Sequence, residues 1–258
     1  MDSMSTSNNM NLNGKIALIT GGSRGLGKAM ALSLSAAGAT IALVARDVEK
    51  LNSVKAAIEA AGGKAAVFVA DVVSEEGVAR VHAEISGQLG AVQILINNAG
   101  MNIRKNLIEF TLDEWNQVLD TNLTSVFLMC RAFVPGMKGT GYGRVINMTS
   151  IMSHVSLAGR SAYSSSKTAL LGLTRALALE LADQGITVNG ISPGPFGTEL
   201  NTAVMQNPEL NAQFVANIPL GRWGKVEEIG SLACYLCSED AGFITGTDIL
   251  IDGGWTAK

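Results

Sequence analysis

The sequence predicts an α/β fold: one doubly wound domain, a seven-stranded parallel sheet with helices on both faces. Two observations carry that expectation. Seven apolar runs recur along the chain, KIALIT, TIALVA, KAAVFVA, VQILIN, GRVINMT, ITVNGIS and TDILIDG. The stretches between the first five have helical periodicity, and strand–helix alternation with short links builds right-handed βαβ units. The composition agrees: 47% of residues are hydrophobic, 16% charged and 5% aromatic. Strands buried on both faces read as unbroken Val/Ile/Leu runs and need few charges.

Taken in order, KIALIT leads through GGSRGLG into a helix that Gly38 stops. Asp47 caps the helix after TIALVA, and Ser74 the helix after KAAVFVA. Thr111 and Glu114 form a T-x-x-E capping box before the long helical stretch TLDEWNQVLDTNLTSVFLMCRAF. GRVINMT precedes a helix bearing Tyr163 and Lys167. Between ITVNGIS and a helix near Val226 lie about thirty residues holding four of the five prolines. Links in α/β units usually run about two to six residues, so this is an insertion. Placed after a strand's carboxyl end it overlies the ligand crevice, which predicts a substrate lid at about 195–222. No repeat, low-complexity tract or linker divides the chain. The expected organisation is a polar tail, 1–11, and a single domain, 12–258.

Several classes are disfavoured. A net charge of −3 gives no broad electrostatic case for nucleic acid or membrane. No apolar run approaches bilayer-spanning length, and the tail lacks the basic start and apolar middle of a signal peptide. Three cysteines make no disulfide framework. Cys234 and Cys237 form C-x-x-C, but a metal site wants more ligands, and the only histidines, His82 and His154, are far off in sequence. Buried thiols on one helix face, no metal and a cytoplasmic location are the expectation, with a small molecule as substrate.

The glycines Gly21, Gly25 and Gly27 read G-x-x-x-G-x-G. The turn ends at the start of a helix, where unpaired N–H groups and the dipole favour an anion. Glycine allows unusual backbone angles, and its bare Cα lets a pyrophosphate come close. An NAD site usually offers Asp or Glu after the second strand. Here Ala45 is followed by Arg46, and Arg24 lies in the glycine loop, so two guanidiniums could converge on a 2′-phosphate. At about 1.5–3 kcal/mol per charge-assisted bond, they favour NADP(H) by about two to four decades before desolvation. Asp47 fits a cap pointing away. ILINNAG, residues 94–100, offers small residues and amides that can hold backbone or nucleotide groups.

Tyr163 and Lys167, four apart on a helix, face the same way. A neighbouring ammonium favours phenolate, giving a proton donor or acceptor suited to alcohol/ketone chemistry, with Ser150 bonding the substrate oxygen. Asn122 falls among apolar neighbours at helical spacing. It makes either a local structural hydrogen bond or a kink with a held water linking Lys167 to solvent.

Together these residues resemble the short-chain dehydrogenase/reductase family from about Leu12 onward, which implies a Rossmann fold. The T-G-x-x-x-G-x-G motif falls at Thr20 to Gly27, N-N-A-G at Asn97 to Gly100, and the catalytic tetrad at Asn122, Ser150, Tyr163 and Lys167. The resemblance implies cofactor contacts from Gly21, Ser23, Arg24, Gly25, Leu26, Gly27, Arg46, Asp71, Val72, Asn98, Ala99 and Gly100. It adds Tyr163, Lys167, Pro193, Gly194, Phe196 and Thr198. Tyr163 would be the general acid/base, Lys167 would lower its pKa and bind ribose, and Ser150 would orient the carbonyl.

NIRKNLIEFTLDEWNQVLDTNLTSVF, PLGRWGKVEEI and IDGGW are similar to gluconate 5-dehydrogenases and related sugar-acid reductases, where Arg104 would pair with an aldonate carboxylate and His154 and the stretch Ser156–Arg160 line the substrate side. Similar stretches occur in 3-oxoacyl-carrier-protein reductases and tropinone-reductase-like enzymes. A non-catalytic dinucleotide sensor predicts loss of Tyr or Lys, and both are present. The resemblance also implies a homotetramer paired through the helices bearing Asn122 and Tyr163–Lys167 and through the C-terminal segment.

Overall fold

The computed structural model describes residues 10–257, so most of the expected tail lies outside them. All seven expected strands form: β1 (Ile16–Thr20), β2 (Thr40–Ala45), β3 (Lys64–Val69), β4 (Ile94–Asn97), β5 (Gly143–Met148), β6 (Ile186–Pro193) and β7 (Asp248–Ile251). They make one parallel sheet in the order β3-β2-β1-β4-β5-β6-β7. The chain starts mid-sheet, winds out to β3, then crosses to the other side of β1. The order therefore reverses between β1 and β4, and that reversal opens a crevice at the strands' carboxyl ends.

The helices are α1 (Gly25–Ala36), α2 (Val48–Ala60), α3 (Glu75–Gln88), α4 (Leu112–Leu119), α5 (Ser125–Phe133), α6 (Ser161–Leu181), α7 (Thr202–Met205), α8 (Pro208–Val215) and α9 (Val226–Cys237). Successive strand residues point to opposite faces, and the two faces build two apolar layers. Ala17, Ile19, Ile94, Ile96 and Ile146 meet α1, α2 and α9 through Met30, Leu34, Leu51, Ile58 and Ile229. Leu18, Leu95, Val145 and Val188 meet α3, α5 and α6 through Val81, Ile85, Phe133 and Leu170. Full burial of each such side chain contributes about 1.5–3 kcal/mol, and the strands at the reversal share in it.

The helix signals act as read. Asp47 accepts from Lys50 N at 3.1 Å, and Ser74 accepts from Gly77 N at 3.0 Å. Glu114 N donates to Thr111 Oγ1 at 3.1 Å while Thr111 N donates to Glu114 Oε2 at 2.9 Å. Gly38, at φ +100°, ends α1. The long helix after Thr111 is interrupted, however: Asp120–Thr124 forms a π-helical turn between α4 and α5. Cys234 and Cys237 are buried in α9, and burial raises the Cys234 thiol to about 11 and Cys237 further.

The insertion leaves the sheet at Pro193 and carries α7 and α8. Its two ends are tied together: Gly197 N donates to Gly224 O at 3.0 Å and Gly224 N to Pro195 O at 2.9 Å. Phe214 of α8 stacks on Trp223 with ring centroids 4.6 Å apart, and Trp255 from the C-terminal segment packs on Phe214 at 5.4 Å. Among the described residues no helix is long and apolar enough to cross a membrane.

Candidate active site

The glycine turn sits at the reversal and is fastened by the end of β4. Thr20 Oγ1 accepts from the backbone N of Asn98 and Ala99 at 2.9 and 3.0 Å. Asn98 Nδ2 donates back to Thr20 O at 2.9 Å and Gly21 O at 3.1 Å. The second asparagine of N-N-A-G therefore holds backbone. Gly21 and Gly25 take φ of +64° and +53°. Gly27 is needed for a different reason: a Cβ there would lie 2.3 Å from Gly21 O. Thr198, at the start of the insertion, reaches over the loop, its Cγ2 3.8 Å from where a Gly25 Cβ would stand. Ser23 and Leu26 fill the turn between these glycines and are part-buried.

Arg46 and Asp71 emerge side by side past β2 and β3, the guanidinium 3.8 Å from the carboxylate, with side chains 80% and 45% exposed. An ion pair that long and wet contributes little, which leaves Arg46 available. Arg24 is likewise exposed at the start of α1. Asp47 is committed to its cap and to Lys50 Nζ at 3.1 Å, while Val72 is buried. At the other end of the crevice, Pro193 closes β6 and Gly194 packs on Asp252, whose Cα would lie 2.6 Å from an added Cβ. Phe196 is buried under Gly224.

Ser150, Tyr163, Lys167 and Asn122 converge beyond β5. Ser150 caps the short turn after it, accepting from Met152 N at 3.1 Å, and the Tyr163 hydroxyl hydrogen-bonds it. Lys167 is buried and its Nζ donates to Met148 O at 2.6 Å, 5.9 Å from the Tyr163 ring centroid. Gly100 packs between this ammonium and Asn122: a Cβ there would stand 3.2 Å from Asn122 Oδ1 and 3.6 Å from Lys167 Nζ. Asn122 lies in the π-helical turn and is fully buried. Its Oδ1 accepts from Met101 N at 2.8 Å, while Nδ2 donates to Met101 O at 2.9 Å and Ser166 Oγ at 3.0 Å. The structural hydrogen bonds are made from within the π-helical turn, the amide holding the loop after β4 against α6.

The charge balance differs from the sequence expectation. Burial pushes the Tyr163 phenol up, and the Ser150 hydrogen bond and the Arg160 charge offset only part of that. Burial acts on Lys167 as well, lowering its ammonium to about 8, and one of its N–H groups donates to the Met148 carbonyl. Desolvation penalises the charged form of both groups.

On the substrate side, Arg104 is exposed and Arg160, at the start of α6, is half-buried. Their loops touch, Lys105 N donating to Gly159 O at 3.3 Å. Lys105 is neutralised by Glu114 at 2.7 Å, whereas neither Arg104 nor Arg160 has a carboxylate partner among the described residues. Burial and the like charge of Arg104 lower the Arg160 pKa. His154 is held by the start of β7, its Nε2 2.6 Å from Asp248 Oδ2.

Known proteins resemble the chain along nearly its whole length. A family model described as enoyl-(acyl carrier protein) reductase matches residues 21–256. The chain belongs to the short-chain dehydrogenase/reductase family. It is 35% identical to gluconate 5-dehydrogenase of Gluconobacter oxydans, covering 96% of each chain. It is 42% identical to an acetoacetyl-CoA reductase of Rhizobium meliloti, over 93% of this chain and 98% of the other. A crystal structure of gluconate 5-dehydrogenase from Burkholderia cenocepacia in complex with NADP and tartrate superposes with a TM-score of 0.92. That protein is 34% identical, with 97% of this chain and 98% of that one covered.

As a member of this family the protein is an oxidoreductase acting on CH–OH groups with a nicotinamide dinucleotide. Arg160 ends the stretch 156–160 expected on the substrate side, and folding brings its charge near Arg104 and Tyr163. One residue of interest escapes motif reading. Asp248 meets His154 across 94 positions of sequence, which no local pattern reports.

Proposed function

We propose that the protein is an NADP(H)-dependent reductase/dehydrogenase that interconverts a ketone and a secondary alcohol on a sugar acid or related polyol acid. The observation that carries the anionic substrate is the pair Arg104 and Arg160, two neighbouring guanidiniums without a carboxylate partner among the described residues, Arg160 being the one whose charge reaches Tyr163. An unpaired, half-buried guanidinium is costly, and a substrate carboxylate relieves it through charge-assisted bonds. The gluconate 5-dehydrogenase relatives, one of them with tartrate bound, support the same class.

The residues present fit a phosphorylated dinucleotide. Gly21 and Gly27 let the turn pack tightly on itself and on Asn98, Gly25 keeps the start of α1 open beneath Thr198, Arg24 and Arg46 are exposed at the adenosine end, and Phe196 lies buried at the start of the insertion. Asp71, Val72, Asn98, Ala99, Gly100, Pro193 and Gly194 complete the lining. When bound, the nicotinamide supplies or accepts the hydride. Ser150 orients the substrate oxygen, Tyr163 gives or takes the proton at that oxygen, Lys167 holds the floor of the site through Met148 O, and Asn122 fixes the loop above it. The insertion at 195–222 is read as a lid on a single domain. A homotetramer is supported by the exposed apolar side chains Phe127 on α5, Leu179 on α6 and Leu250 on β7.

The test is NADPH oxidation with 5-ketogluconate, acetoacetyl-CoA and a neutral ketone, using wild type, Tyr163→Phe and the double variant Arg104→Ala/Arg160→Ala. Tyr163→Phe is expected to lose turnover on every substrate. The arginine variant is expected to lose at least tenfold in kcat/KM on 5-ketogluconate and little on the neutral ketone. Equal losses on both refute the anionic class, and acetoacetyl-CoA as the preferred substrate favours a 3-oxoacyl thioester reductase instead.

A further inference from the structure

Asp248 opens β7, the edge strand, opposite Gly190 of β6. Its carboxylate does not face solvent but lies back across β6, with the side chain only 9% exposed. Gly190 permits this: an added Cβ would stand 2.0 Å from Asp248 Oδ1. Beyond the glycine the carboxylate meets the loop that follows β5. Oδ1 accepts from Thr149 Oγ1 at 2.5 Å, Oδ2 accepts from Ser192 Oγ at 2.6 Å, and His154 Nε2 faces Oδ2 at 2.6 Å. Ser192 Oγ is also 2.9 Å from the backbone oxygen of Ser150 and 2.9 Å from Thr149 Oγ1.

We propose that Asp248 is a positioning residue for Ser150, clamping the loop Thr149–His154 to β6 and β7 so that the Ser150 hydroxyl is fixed relative to Tyr163. The proposal rests on the reading of Ser150 given under Proposed function. The clamp grips on both sides of Ser150: Thr149 precedes it and His154 follows four residues later. Ser192 gives its single proton either to Asp248 Oδ2 or to the Ser150 carbonyl. Thr149 and Ser192 are buried, so their hydroxyls have no water to turn to, and one carboxylate satisfies both. A bond made directly by Ser150 Oγ is left for Met152 N and Tyr163. Asp248 touches neither the glycine turn nor the residues expected to line the dinucleotide cradle. It is expected to influence turnover without influencing dinucleotide affinity.

The experiment compares Asp248→Asn, Thr149→Val, Thr149→Ser, Ser150→Ala and the double variant Ser150→Ala/Asp248→Asn, in NADPH oxidation with 5-ketogluconate or with acetoacetyl-CoA, whichever the wild type turns over faster. NADPH affinity is followed in parallel by fluorescence. Asp248→Asn is expected to lower kcat at least tenfold with NADPH Kd unchanged. Thr149→Val is expected to do the same more weakly, with Thr149→Ser restoring turnover. In the Ser150→Ala background, Asp248→Asn should add less than a twofold loss, because it acts through the missing hydroxyl. The clamp is overturned if Asp248→Asn stays within twofold of wild type, or if its loss is as large without Ser150 as with it. Should Ser150→Ala alone keep wild-type turnover, the reading of Ser150 falls and the clamp with it, a result the single variant reports by itself. If Asp248→Asn does not fold, the Thr149 pair decides: equal turnover in Val and Ser overturns the proposal.

Discussion

Lys167→Met keeps the length and volume of the side chain, removes its charge, and so separates stability from catalysis. Burial lowers the Lys167 ammonium from 10.5 to about 8. At about 1.4 kcal/mol per pH unit, that charge costs the folded protein about 3 kcal/mol at pH 7. Between pH 8 and 10.5 the unfolded chain holds a proton here that the folded chain has released, so the Lys167 contribution to stability rises with pH through that window. Below pH 8 both states are protonated and the full penalty applies; above 10.5 neither is, and the penalty is gone. Against this, the variant strands the Met148 carbonyl, which accepts from Nζ at 2.6 Å, at a cost of about 1–3 kcal/mol. At pH 7 the variant is therefore expected to match the wild type or exceed it by up to about 2 kcal/mol. At pH 10.5 it is expected to be about 1–3 kcal/mol less stable. Urea unfolding of both proteins at one fixed concentration, from pH 7 to 10.5, measures the difference, and titrations common to both cancel. A gap that stays flat over that range refutes the buried charge.

Gly27→Ala forces a Cβ to within 2.3 Å of Gly21 O and 2.5 Å of Asn98 Nδ2. Overpacking of about 1–3 kcal/mol should lower the thermal midpoint and weaken NADPH binding at least tenfold, and an unchanged Kd by fluorescence titration would reject the cradle. Arg46→Asp should move the ratio of kcat/KM for NADPH over NADH by about ten- to a hundredfold toward NADH, the worth of one charge-assisted bond; an unmoved ratio removes Arg46 from the 2′-phosphate. Trp255→Ala breaks the 5.4 Å contact with Phe214, about 0.5–1.5 kcal/mol. It should speed proteolysis within 199–217 and raise the substrate KM more than it lowers kcat, and unaltered cleavage would show that the insertion does not lean on the C-terminal segment. Because burial holds the Tyr163 phenol up, kcat/KM for ketone reduction should stay level from pH 6 to 8 and decline only in the alkaline range, where the proton donor is lost. A midpoint near 7 in the pH profile would contradict this.

Where the sequence was legible, the signal was local. Each strand is a run of apolar residues whose alternation already divides Leu18 from Ile19 between two layers. Asp47, Ser74 and Thr111 cap helices because their partners lie three residues away. The glycine turn and the Ser150, Tyr163 and Lys167 positions follow from spacing along one loop or helix. What the sequence hid is set by partners remote in sequence. The Asp248 carboxylate and His154 are 94 positions apart, Asn122 and Ser166 are 44, and Asn98 reaches 78 back to Thr20. The π-helical turn at Asp120–Thr124 belongs to the same class: the helical period runs on through it, and within it Asn122 bonds Met101, 21 positions away.

The charge state of the Tyr163–Lys167 pair shows why spacing alone misleads about chemistry. On an exposed helix, two groups one turn apart feel each other more than they feel the loss of water, and the ammonium would acidify the phenol. In this site both lie under the β5–α6 loop, and desolvation acts on each in the direction of its neutral form. A shared push toward neutrality leaves Tyr163 protonated and ready to donate, the state a ketone reduction needs at its start. The charge that does reach the phenol comes from Arg160, the guanidinium whose like-charged neighbour is Arg104. A substrate carboxylate drawn to those arginines, as the proposed function expects, would offset part of that pull.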